Sequence, residues 1–120
     1  MREYKYILKG HKAIKCPDTI KWAVWYENAS VSRVVAQTPI GKRMLSTVFL
    51  GLDHNFEGGN KGKPLLFETM LITPVKPRTI TRGSTRGLTI RNDYELLGRW
   101  GTWMESEKGH RKLLKELKKK

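Results

Sequence analysis

Asp53, His54 and Asn55 stand in a row where one apolar run ends, and Glu68 stands inside the next, so polar chemistry sits at the mouth of a candidate core. Near neutral pH an imidazole and carboxylates offer two chemistries, metal ligation and acid-base catalysis. Spacing supports neither, because there is no HExxH pair and no cysteine cluster, and His11 and His110 fall in other elements. The expectation is that Asp53 and Asn55 fix a turn and His54 fills a polar pocket beside it, with no metal, no cofactor and no catalysis. A small hydrolase built on Asp53, His54 and Glu68 is the alternative. Glu68 itself needs a partner, since an unpaired carboxylate inside an apolar strand is costly, and Arg33 or His54 is expected to face it. Two roles stay open for Glu68: a structural ion pair, or a carboxylate that meets a hydroxyl or amino group of a ligand.

Cations are the second source of chemistry. With 24 Lys and Arg against 11 Asp and Glu, the chain carries a net charge of +13 and should attract phosphates. Arg78, Arg82, Arg86 and Arg91, with Lys76, fall among Gly, Ser and Thr in a stretch from residue 74 to 91 that has no acid. That composition suits phosphate contact and equally a solvated loop. The run Lys118-Lys119-Lys120 reads as a basic tail. Aromatic rings could stack bases, and Trp22, Trp25, Tyr26, Trp100 and Trp103 are concentrated in two short segments. Trp22 and Tyr26 share one face of a helix, whereas Trp25 points elsewhere and is the expected exposed stacking or subunit contact. The glycines of Gly58-Gly59-Asn60-Lys61-Gly62-Lys63 do not form a Walker loop, because a strand rather than a helix follows.

The elements that must position these groups are legible from periodicity and punctuation. Residues 4 to 8 and 12 to 15 read as short strands, and Asp18 precedes a short helix over residues 19 to 28. Residues 33 to 40 and 43 to 50 form a hairpin about Gly41, and residues 65 to 72 form a strand apolar on both faces. The basic stretch from 74 to 91 reads as an extended, mobile insertion whose last residues could pair as an edge. Residues 94 to 100 form the last strand, after which Thr102 and Glu105 make a capping box for a helix with His110, Leu113, Leu114 and Leu117 on one stripe. The sum is one α+β domain over residues 1 to 120, a mostly antiparallel sheet with one short helix in the N-terminal half and one C-terminal helix. Cys16 is alone, the first residues lack the apolar core of a secretory leader, and no apolar run is long enough to span a bilayer. A cytoplasmic protein without a membrane partner is expected.

The string Ser46-Thr47-Val48-Phe49-Leu50-Gly51-Leu52-Asp53-His54-Asn55-Phe56, then Pro64-Leu65-Leu66-Phe67-Glu68-Thr69-Met70, then Trp100-Gly101-Thr102-Trp103-Met104-Glu105 and Gly109-His110, resembles a family of small phage-encoded proteins. The resemblance spans roughly residues 20 to 113. It implies a counter-defence sponge of the anti-Thoeris type, which binds and sequesters a small anionic cyclic nucleotide signal without cleaving it, in the cytoplasm of an infected bacterial host. The basic stretch from 74 to 91 departs from the family's short acidic connection, so its role need not be a family property. On this reading Trp25, Asn55, Glu68, Arg78, Arg82, Arg86 and Arg91 contact the ligand, Asp53 and His54 hold the loop, and the protein is a homo-oligomer. The alternative is a small basic phage protein that binds DNA or RNA through the insertion and the C-terminal helix.

Overall fold

Both helices begin at the caps written in the sequence, in a computed structural model that describes residues 4 to 55 and 62 to 119. Phe56, Gly58, Gly59, Asn60, Lys61 and Lys120, named above, lie outside the described residues. The Asp18 carboxylate accepts the amides of Ile20 and Lys21 at 3.0 and 3.1 Å and starts α1 (Thr19–Asn28). Such a cap contributes about 1 kcal/mol. Helix α2 (Trp103–Lys118) starts at Thr102, whose hydroxyl accepts the Glu105 amide and donates to the Glu105 carboxylate, both at 3.1 Å. The box therefore closes between the two side chains, through one hydroxyl.

Among the described residues six strands make two sheets. The first is the hairpin of β1 (Tyr6–Lys9) and β2 (Lys12–Lys15). The second is an antiparallel meander, β3 (Val34–Ile40), β4 (Arg43–Phe49), β5 (Phe67–Thr79) and β6 (Thr89–Trp100), adjacent in that order. The molecule is thus a single α+β domain. Strand β5 alternates, with Phe67, Thr69 and Leu71 buried and Glu68, Met70 and Ile72 only half so. The expectation of a strand covered on both faces is corrected. Helix α2 lies over one face alone, and the residues between are long aliphatic or charged groups that tolerate partial exposure.

The basic stretch is also more regular than its composition suggests. Both β5 and β6 run on into it, with Arg78 opposite Ile90 and Thr79 opposite Thr89, and the Ile80 and Leu88 backbones close the end at 2.9 Å. Pro74 and Pro77 are tolerated because β4 pairs with β5 only as far as Ile72, so beyond that point β5 has a free edge and needs no donor there. The ladder shifts register between Pro74 and Arg78.

Phe49 and Phe67, fully buried and 5.2 Å apart, centre the core with Tyr6, Leu8 and Leu66. Each such ring removed from water stabilises the fold by roughly 1.5–3 kcal/mol. Gly51 joins the layers: its carbonyl receives the Tyr6 amide and the Trp22 indole N–H, at 2.8 and 3.0 Å, and a side chain there would meet the Tyr26 ring at 3.0 Å. Its φ of 76° lies in the region that glycine alone enters freely.

Candidate functional site

The Asp53 loop is knitted by its own side chains. Asp53 Oδ1 accepts the amides of Asn55 at 2.8 Å and Leu65 at 3.0 Å, an Asx turn that also ties the loop to the chain leading into β5. His54 donates from Nδ1 to the Leu52 carbonyl at 2.9 Å, and the Asn55 amide donates to the Lys63 carbonyl at 2.7 Å. Asp53 and Asn55 are both buried. Among the described residues no three His, Cys, Asp or Glu side chains gather closely enough to hold a metal ion.

Glu68 has a different partner from the two expected. Cross-strand pairing sets it directly opposite Arg99 on β6, and Arg99 Nε reaches its carboxylate at 3.4 Å, with the two side chains 35% and 15% exposed for Arg99 and Glu68. Arg33 is engaged elsewhere, its guanidinium 3.8 Å above the Tyr26 ring. The pairing could not be read from β5 alone, because it depends on the register shift between Thr69 and Met70. Trp25 is corrected as well. Its ring packs edge-on against Phe49 at 5.8 Å, half-buried at the margin of the core, so it is no exposed stacking platform. Trp22 and Tyr26 do share one face, stacked at 5.1 Å.

Arg78 and Arg91 stand on the two-stranded extension of β5 and β6, and Arg82 and Arg86 in the turn that joins the two strands. Arg78, Arg82, Arg86 and Arg91 are exposed, as is Lys76, and between Thr73 and Asn92 there is no carboxylate. Arg78 and Arg91 line one concavity of about 560 Å³ with Asp93 and Tyr94, the tyrosine 60% exposed. The candidate ligand contacts therefore do not converge: Trp25 lies at the core, Asn55 in the knitted loop, Glu68 on the sheet, and the arginines on the arm.

Two further constellations were not legible in the sequence. On the α2 face of the sheet His110, 3% exposed, is hydrogen-bonded through both ring nitrogens, one donating and one accepting, Nδ1 with Thr47 at 2.7 Å and Nε2 with Thr38 at 2.9 Å. Thr47 reaches Thr69 at 2.6 Å, and the Trp100 indole donates to Thr69 at 2.9 Å. Desolvation holds the His110 pKa below the ordinary 6.5. This chain of neutral groups lies inside the domain and serves as a polar seam between α2 and the sheet. The second constellation is a cleft of about 740 Å³ between the β1–β2 hairpin and the start of α2, where His11 lies flat on Trp103.

Compared with known protein families, with curated proteins and with solved structures, the chain gives no match. Among the described residues no helix is long and apolar enough to cross a membrane.

Proposed function

We propose that the protein binds nucleic acid through the basic arm formed by the outer halves of β5 and β6. What supports the reading is one observation: a two-stranded ribbon and the turn at its end present five exposed cations and, from residue 73 to 92, no acid. On β5 the arm runs from Thr73 to Thr79, which at ~3.3 Å per residue makes it about 20 Å long. A ribbon of that kind fits the major groove of a duplex or lies along a single strand, and its arginines meet phosphates. Counterion release supplies most of such affinity. If all five cations neutralise phosphates, log K falls against log salt with a slope of about −4.5 on a duplex. The test is a salt titration of binding to duplex DNA, single-stranded DNA and RNA. A shallow slope with all three polymers would sink the reading.

A second reading, sequestration of a small anionic cyclic nucleotide without cleavage, as in the phage counter-defence family the sequence resembles, is favoured by the concavity of Arg78, Arg91 and Tyr94. Two guanidinium groups and an exposed aromatic ring could hold a phosphate and a base together. Its setting would be the cytoplasm of an infected bacterium. Heat release of bound material after incubation with cyclic nucleotides separates the readings: intact small ligand supports the sponge, an altered product supports an enzyme, and retention of polymers alone supports the nucleic-acid binder.

A further inference from the structure

We propose that the cleft between the β1–β2 hairpin and the start of α2 is a separate binding site for an aromatic anion of nucleoside monophosphate size. Its volume, about 740 Å³, lies in the range of small-molecule sites. The apolar part of the lining is Tyr6, Ala13, Leu66, Phe67 and Trp103, and the charged part is two cations of the hairpin, Lys9 and Lys12, against one acid of α2, Glu107. That division suits a ligand with a flat apolar body and a charged end.

Two observations point to such a ligand. First, Lys9 and Lys12 are direct cross-strand partners around the turn Gly10-His11. Like charges placed opposite one another repel, and neither lysine meets a carboxylate within ion-pair distance among the described residues. An anion between them removes the repulsion. Second, the His11 ring lies on Trp103 at 3.8 Å with only 5° between the planes, the geometry of a stacked base. His11 is exposed and sits on a tight turn, so a planar ligand ring can replace it on Trp103 at the cost of one small stack. The ring of the ligand lies on Trp103 and its phosphate lies at the lysine pair.

None of the arm residues lines this cleft, so the site stands or falls apart from the arm. The experiment is a calorimetric and tryptophan-fluorescence titration of the full chain with adenosine 5′-monophosphate, adenosine and inorganic phosphate. The monophosphate is expected to bind saturably, to change the fluorescence, and to bind more tightly than either fragment. Lys9→Ala with Lys12→Ala should weaken it about tenfold, the loss of roughly one charge-assisted contact. Trp103→Phe should abolish the fluorescence change, while Arg82→Ala with Arg86→Ala should leave binding as it is. Should Trp103→Phe fail to fold, the lysine pair, exposed and outside the core, still decides the matter. No saturable binding at millimolar monophosphate, equal affinity for inorganic phosphate alone, or parental affinity in the lysine double variant would each overturn the proposal.

Discussion

His110 Nδ1 lies 2.7 Å from the hydroxyl of Thr47, a contact that joins a helix to the central strand β4 across 63 residues of chain. Thr47 is fully buried and also bonded to Thr69 at 2.6 Å, so its hydroxyl holds two partners that have little access to water. A buried group that loses its partner costs more than the hydrogen bond itself contributed. Thr47→Val is nearly isosteric and is expected to destabilise the domain by about 1–3 kcal/mol, read as a lower urea midpoint with unchanged m-value.

The same histidine gives stability a dependence on pH. Burial lowers its folded pKa below 6.5, and its ring partners, Thr38 and Thr47, are neutral. The unfolded chain therefore takes up the proton first. The contribution to stability is complete above the unfolded pKa of about 6.5 and is lost as pH falls through the folded value. Melting temperature should drop between about pH 7.5 and about pH 5.5 by more in the parent than in His110→Gln. Equal drops would show that other groups carry the effect.

Trp100 is clamped between two glycines. A β-carbon added at Gly109 would fall 2.3 Å from Trp100 Cζ2, and one at Gly98 would fall 2.5 Å from the same atom. Alanine in a helix ordinarily gains about 1 kcal/mol over glycine. Here overpacking outweighs that gain, and Gly109→Ala should destabilise by roughly 1–3 kcal/mol net, by shifting an indole that also donates to Thr69. A variant as stable as the parent would mean that the ring moves freely.

Arg82 and Arg86 lie at the far end of the arm, outside every core contact. Replacing both with alanine should leave the melting temperature nearly unchanged and weaken nucleic-acid binding by two phosphate contacts, roughly 3–6 kcal/mol at low salt. Parental affinity in fluorescence anisotropy would reduce the arm to a solvated hairpin.

The sheet face away from α2 presents Met44, Val48, Met70 and Ile72 in a half-buried patch, with Tyr94 and Leu96 beside them 60% and 44% exposed. Glu68 and Arg99 lie on that face already paired with each other, so a second copy packed over the patch by a two-fold axis would bury apolar surface without stranding either charge. Light scattering is expected to give a dimer, and Leu96→Glu a monomer. A parental mass that stays monomeric at all concentrations would count against the interface.

Local signals were strong wherever the chemistry was local. Asp18 and Thr102 stop the chain from continuing as strand because their oxygens satisfy the free amides two or three residues on, and both caps are where the sequence has them. Gly41 between two runs rich in Val and Thr likewise announces the β3–β4 hairpin. The arginine cluster on its acid-free stretch was equally plain, since charge is a property of composition. What the tertiary structure alone decided is which groups meet. Glu68 pairs with Arg99 rather than Arg33 because a one-residue shift in the β5–β6 ladder sets the register, and no local preference specifies that shift. Trp25 turns to Phe49 because the direction of α1 is set by the Trp22 bond to Gly51 and Tyr6, contacts distant in sequence. His110 finds Thr47, and His11 finds Trp103, only after the helix has docked on the sheet and the hairpin has closed over its first turn. Caps and turns are short-range and can be read residue by residue, whereas pairing and stacking depend on packing that the whole chain must satisfy at once.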